Sequence, residues 1–210
     1  MVRTRWGRGL LNLLFRWKHG SSTSYWEHRY RNQGNSGAGS YGALAAYKAS
    51  VINPFVQEHK ITSVIEFGCG DGNQLGFFRF PAYTGLDVSP AALDRCREIF
   101  RDDPTKNFEL YTPGRWNGRQ FDLSLSLDVI YHLVEDAIFE QYMQDLFAAA
   151  KKYVIIYSWE KKDAQLQHVR YRAFNGWIRD NAAGWELSET IRNRQPIEAC
   201  DFFIYQRKAL

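Results

Sequence analysis

The residues with most chemical consequence lie in Glu66-Phe67-Gly68-Cys69-Gly70-Asp71-Gly72-Asn73 and, one apolar segment later, at Asp87. Glycines at alternate positions let the backbone turn tightly and approach a ligand that a Cβ would push away. A carboxylate at the end of Tyr83-Thr84-Gly85-Leu86 is placed to accept hydrogen bonds from ribose hydroxyls. Further on, Asp128 and His132 follow Leu123-Ser124-Leu125-Ser126-Leu127. An imidazole that titrates near neutrality suits removal of a proton from a sugar or phenol hydroxyl. The alternative for His132 is a helix-start histidine that packs or hydrogen-bonds structurally.

Two nucleotide-binding patterns do not fit. A dinucleotide fingerprint needs its third glycine where Asn73 stands, and a phosphate-cradling loop needs a Gly-Lys-Ser/Thr ending that this stretch lacks. What remains is an acid, a Gly-x-Gly-x-Gly loop and a second acid behind it.

These residues need elements to hold them. Residues 62–67 read as a buried strand running into the glycine loop, and 73–79 leave room only for a short helix before Pro81. A second strand spans 82–87, and Ser89-Pro90 caps and starts a helix to about residue 101. Strands follow at 107–111, 121–127 and 151–158, with helices at 135–150 and 166–181. The segment 41–59 has helical spacing of Leu44, Val51, Ile52, Phe55 and Val56, with a kink or break expected near Asn53 because of Pro54. Two last strands, about 185–192 and 199–207, are close enough to pair antiparallel. The fold class is therefore α/β: a Rossmann-like, seven-stranded, mostly parallel sheet, helices on both faces and a C-terminal antiparallel hairpin.

Composition is that of one ordinary globular domain: 210 residues, 45% hydrophobic, 24% charged. The net charge of +4 is too small to indicate DNA or RNA as a partner. Cys69, Cys96 and Cys200 stand far apart without a Cys-x-x-Cys pair, so no disulfide framework or zinc site is suggested and a reducing cytoplasm is the simplest setting. No carboxylate–histidine metal pattern stands out, so no metal is expected. Aromatic residues are abundant, at 16%; core packing and a ligand surface both account for that.

Residues 1–40 differ from the domain at 41–210. In residues 1–20, Arg3, Arg5, Arg8, Arg16 and Lys18 surround Leu10, Leu11, Leu13, Leu14, Phe15 and Trp17. Such a basic amphipathic stretch suits peripheral contact with an anionic inner-membrane surface, or a helix capping the domain. Glycines at 34, 37, 39 and 42 mark an adaptable segment, read as a lid over a ligand or as a plain linker.

The glycine loop with Glu66 and Asp87, and the stretch from Asp122 to His132, resemble the class I S-adenosylmethionine-dependent methyltransferases. The resemblance implies S-adenosyl-L-methionine as cofactor and S-adenosyl-L-homocysteine as product. It implies that Glu66, Gly68, Cys69, Gly70, Asp87, Val88, Ser126, Asp128 and Tyr41 border the cofactor. His132 is then the candidate base, and His168, Arg172 and Tyr131 the candidate acceptor-binding residues. The family's acid after the third strand is replaced by Tyr111-Thr112. Methyltransferases of base amines carry Asn/Asp-Pro-Pro-aromatic after the fourth strand, where this chain has Ser126-Leu127-Asp128-Val129. Oxygen or carbon acceptors on small molecules therefore come first. Residues 35–42 and 64–75 also look like a bacterial subgroup associated with surface-polysaccharide synthesis, which implies a glycan acceptor. RNA or protein methylation, or an inactive cofactor-binding subunit, are the alternatives.

Overall fold

The computed structural model describes residues 20–161, 164–166, 169–193 and 200–209. The elements, in chain order, are α1 (Ser22–Arg31), α2 (Gly42–Glu58), β1 (Val64–Phe67), β2 (Tyr83–Asp87), α3 (Pro90–Ile99), β3 (Lys106–Leu110), β4 (Phe121–Leu127), α4 (Asp136–Ala148), β5 (Ala150–Ser158), β6 (Ala164–Leu166), β7 (Val169–Tyr171), α5 (Phe174–Asn181), β8 (Trp185–Ile191) and β9 (Asp201–Arg207). Seven strands form one sheet in the order β3-β2-β1-β4-β5-β9-β8. Neighbours from β3 to β5 are parallel, and β9 lies antiparallel between β5 and β8. The expected Rossmann-like architecture is present, with its closing antiparallel strands.

The period of two along each strand divides the apolar residues between two cores. Val64, Ile155, Tyr157, Phe202 and Ile204 pack with Ile52, Phe55 and Val56 of α2 and Leu93 of α3. Their neighbours Ile65, Phe67, Val154, Ile156, Phe203 and Tyr205 pack with Phe139, Met143 and Leu146 of α4 and Ile178 of α5. A sheet covered on both faces presents only its strand ends to a ligand, so the loops after β1, β2 and β4 become neighbours.

Two expectations change. Helix α2 runs unbroken through Pro54. An interior proline costs about 3 kcal/mol, but Ile52, Phe55 and Val56 are all buried beside it. Each such side chain is worth about 1.5–3 kcal/mol, so burial prevails. Asn53 adds side-chain bonds to the Phe77 carbonyl and the Arg79 amide, at 3.0 and 2.9 Å.

The helix expected over 166–181 is instead the hairpin β6–β7 followed by the short α5. Arg170 donates to the Val134 carbonyl at 2.8 Å; Arg172 donates to Asp136 at 2.6 Å and to the Leu133 carbonyl at 3.1 Å. Two residues spaced by two reach one place only from an extended chain, since a helix would turn them to opposite sides. Their partners lie in a distant loop and decide the local conformation. Replacement of Arg172 by Met is expected to cost about 2 kcal/mol and to lower the thermal midpoint by about 4–8 °C. The same change at exposed Arg179 should leave the midpoint within about 1 °C, a contrast that differential scanning calorimetry checks.

Candidate functional site

The carboxyl ends of β1, β2 and β4 share one cleft with α1 and residues 36–40 on its outer wall. Gly68, Gly70 and Gly72 have φ of +86°, +62° and +82°, which an L side chain rarely adopts. Space is equally restrictive. A Cβ on Gly68 would stand 2.5 Å from Val129 Cγ2, and one on Gly70 would run into Ser36 Oγ. The loop thus exposes bare backbone to the cleft on one side and packs against its cover on the other.

Asp87, fully buried at the end of β2, accepts hydrogen bonds from the Gly70 amide at 3.0 Å and the Ser89 amide at 2.9 Å. Each carboxylate oxygen is thereby fixed and keeps a lone pair for a ligand hydroxyl. Burial pushes this carboxyl up to about 6, with the backbone bonds opposing. Glu66 accepts from the Tyr83 hydroxyl at 2.6 Å, and burial raises it to about 7 against the opposing effects of that bond and of Lys48.

Asp128 follows β4 at φ +61°, a strained setting for a non-glycine residue. It accepts from Lys48 Nζ at 2.6 Å, from the Tyr131 hydroxyl at 3.0 Å and from the Cys200 thiol at 3.5 Å. Lys48 comes from the middle of α2 and is 0% exposed. His132, in the short 3-10 turn after β4, sets its ring edge-on to Trp26 at 4.8 Å and beside Tyr131 at 4.4 Å.

The segment before α2 is held over the glycine loop by polar contacts. Asp71 accepts from the Ser36 amide at 2.9 Å and the Tyr41 hydroxyl at 2.7 Å, while Ser36 Oγ accepts from the Asp71 amide at 3.0 Å. Asn73 donates to the Ser40 carbonyl at 2.7 Å. Arg95 of α3 donates to the carbonyls of Gly34 and Tyr30 at 2.6 and 2.7 Å, and Ser89 donates to Glu27 at 2.5 Å. At the other end of α1, the Ser22 amide donates to Glu135 at 2.9 Å.

Of the residues singled out in the sequence, Glu66, Gly68, Cys69, Gly70, Asp87, Val88, Asp128 and His132 all wall the cleft. Four others are brought elsewhere. Tyr41 spends its hydroxyl on Asp71, outside the cleft wall. Ser126 is buried behind it, accepting from Tyr142 at 2.7 Å. Tyr131 turns its hydroxyl onto Asp128, and Arg172 is engaged with Asp136 and backbone carbonyls, so it braces the β7 segment rather than facing an acceptor. His168 and residues 1–19 lie outside the described residues.

Lys48, Gln74, Trp26 and Ser36 also wall the cleft and were missed. A signal existed for Lys48: Leu44, Lys48 and Ile52 recur at every fourth position, which puts a lysine on the apolar stripe of α2. No comparable signal marks Gln74, which follows the loop in an irregular stretch.

Residues 65–154 match the family model described as a methyltransferase domain. No curated protein matches the chain. Similar solved structures include the N-methyltransferase NodS from Bradyrhizobium japonicum WM9 in complex with S-adenosyl-L-homocysteine, at 11% identity and TM-score 0.68 over 90% of this chain and all (100%) of that one. The S-adenosylmethionine-bound amino pentose methyltransferase from Micromonospora echinaspora, involved in calicheamicin biosynthesis, aligns at 14% identity and TM-score 0.66 over 80% and 94%. Magnesium protoporphyrin IX methyltransferase from Synechocystis PCC 6803, with bound S-adenosyl-L-homocysteine, aligns at 14% and 0.64 over 91% and 97%. The architecture is the Rossmann-like fold that these methyltransferase structures share, and the match to the methyltransferase-domain model runs over residues 65–154.

The two raised carboxyls set a pH dependence. A carboxyl whose value is raised on folding binds its proton more tightly in the folded chain, so its contribution to stability is present at low pH and lost as pH rises through 6 and 7. Asp71, Asp122 and Asp136 go the other way: against burial, their hydrogen bonds hold them below the ordinary value, and their window lies below pH 4. The thermal midpoint of the protein without added ligand should therefore fall by about 3 °C or more from pH 5.5 to 8. Glu66→Gln, which cannot titrate, should flatten the upper part of that curve; an unchanged slope would assign it to other groups.

Proposed function

We propose that this chain is an S-adenosylmethionine-dependent methyltransferase acting on an oxygen of a small-molecule acceptor, with a carbohydrate hydroxyl of surface-glycan synthesis as first choice. The observation that carries the cofactor reading is Asp87: a buried carboxylate fixed by the Gly70 and Ser89 amides, facing a cleft floored by positive-φ glycines. Its remaining lone pairs suit the two hydroxyls of a ribose, and Val88, Tyr111 and Pro113 supply the apolar setting an adenine ring needs. Glu66, Gly68, Gly70 and Asp128 border the methionine end.

The bound cofactor supplies a sulfonium-activated methyl, an electrophile that needs little from the protein beyond alignment. Asp128, pinned from three sides, fixes the wall beside that position. His132 takes the proton from the acceptor hydroxyl, its ring held in place by Trp26 and Tyr131. Residues 34–41 serve as the lid that keeps water from the site, anchored through Ser36 and Asp71. Support for a carbohydrate over a nucleic acid is the small net charge of +4 and the absence of an Asn/Asp-Pro-Pro-aromatic motif after β4. A cytoplasmic setting, with residues 1–20 resting on an anionic membrane surface, belongs to the same proposal. Among the described residues, no helix is long and apolar enough to cross a membrane.

Calorimetric titration with S-adenosyl-L-homocysteine tests the cofactor reading. Micromolar binding, about −8 kcal/mol, is expected for the native chain, with a loss of about tenfold to a hundredfold in Asp87→Ala. Methyl transfer to a panel of sugars should then fall by about a hundredfold in His132→Ala with cofactor affinity retained. A folded native protein that does not bind the cofactor product would overturn the proposal.

A further inference from the structure

Beside the cleft, the end of β5 carries two buried polar atoms with no hydrogen-bond partner among the described residues: the Tyr157 hydroxyl and the Trp159 indole Nε1. Tyr157 is 1% exposed. Burial and the charge of Asp128 push its phenol up, so the hydroxyl stays protonated and able to donate. Residues two apart on an extended chain share a face, and both side chains lie on the side of the sheet covered by α2. Buried polar atoms are nearly always paired, so two left over at one strand end call for an explanation.

Around them runs a ladder of rings that starts at the cleft. His132, in the cleft wall, sets its ring 4.4 Å from that of Tyr131. Tyr131 lies 5.1 Å from Trp159, and Trp159 lies 5.1 Å from Tyr171. Tyr171 stands between Arg170 and Arg172, which reach the loop at 133–136, so the strand period turns its ring the other way, onto Trp159. Tyr131 has given its hydroxyl to Asp128 and offers its ring. All three rings are half-buried. The ammonium of exposed Lys161 lies over Trp159 and Tyr171 at 4.8 and 5.2 Å, which identifies ring faces that attract positively polarised groups.

A ligand for this place needs C–H groups to lie on aromatic faces and oxygens to accept from an indole N–H and a phenol. It needs no charge, because Asp128 is already paired with Lys48. A pyranose ring has that combination, with C–H bonds on a face and hydroxyls around the rim, whereas a planar phenol brings one oxygen. We propose that Tyr131, Trp159 and Tyr171 form the acceptor platform, on which a neutral pyranose stacks while Trp159 Nε1 and the Tyr157 hydroxyl bind its hydroxyls. This names the residues that select the acceptor and rests on the methyl-transfer reading above. A sugar hydroxyl at the near end of the ladder lies beside His132 and Asp128. Both donor atoms are closed to water, so the ligand gains them as covering side chains move, and the long, exposed Lys161 swings aside at small cost.

The test saturates the native chain with S-adenosyl-L-homocysteine and titrates it with methyl pyranosides of the gluco, galacto, manno and rhamno series, and separately with p-cresol. Indole N–H resonances of isotope-labelled protein are followed, and Trp159→Phe, which keeps a ring and removes the N–H, assigns the Trp159 signal. At least one pyranoside should shift that signal. Trp159→Phe and Tyr157→Phe should each weaken the same pyranoside about tenfold by calorimetry, with S-adenosyl-L-homocysteine affinity within about threefold. That retained affinity also reports folding, and Tyr157→Phe keeps the test open if Trp159→Phe does not fold. A response to p-cresol where no pyranoside gives one would overturn the carbohydrate occupant. No response to either, or pyranoside binding unchanged in either variant, would overturn the platform. Failure of the native chain to bind S-adenosyl-L-homocysteine would instead overturn the cofactor reading beneath it.

Discussion

Burial of charge is the constraint on which the rest depends. Glu66, Asp87 and Asp128 are brought to one cleft by three parallel strands, and Lys48 reaches in from α2 to meet them. Carboxylates so placed repel one another and lose hydration, so each is held by specific donors: Tyr83 for Glu66, two amides for Asp87, and Lys48 with Tyr131 for Asp128. The sheet order, the positive-φ glycines and the placement of α2 all serve to bring those donors within reach. Buried carboxyls raised in this way, gathered in one cleft, are the kind of groups that cluster at functional sites.

The two sides of the cleft are built differently. Its floor belongs to a sheet with apolar cores on both faces, where close packing gives rigidity. Its cover, α1 and residues 34–41, is fastened by contacts to Asp71, Asn73, Ser89, Arg95 and Glu135. Polar contacts of this kind exchange with water at small net cost, whereas apolar burial does not. Such a division suits a body that holds its geometry and a cover that can be released.

The fold was readable because its signals are local. The apolar runs of β1 and β5, the alternation of β4, the Ser89-Pro90 cap and the glycine loop each state their conformation within a few residues. Where expectation failed, a distant partner decided. Pro54 was tolerated because Phe55 and Val56 are buried against the sheet, and the segment before α5 became a hairpin because Arg170 and Arg172 found Val134, Leu133 and Asp136.

The site divides along the same line. By itself the sequence determined that Glu66, the glycines, Asp87 and Asp128 end successive strands of an α/β sheet, because strand and loop types are set by neighbouring residues and right-handed parallel topology then gathers the strand ends. Only the tertiary structure decided which polar groups are spent and which are left. Tyr41, Ser126, Tyr131 and Arg172 had suitable chemistry for a ligand and are taken up by Asp71, Tyr142, Asp128 and Asp136. Lys48, placed by its spacing on the apolar stripe of α2, and Gln74, marked by no pattern, both arrive in the cleft, where Gln74 Oε1 has no hydrogen-bond partner among the described residues. A hydrogen bond between residues far apart in the chain depends on the packing of whole elements, and no local pattern of residue types carries that information.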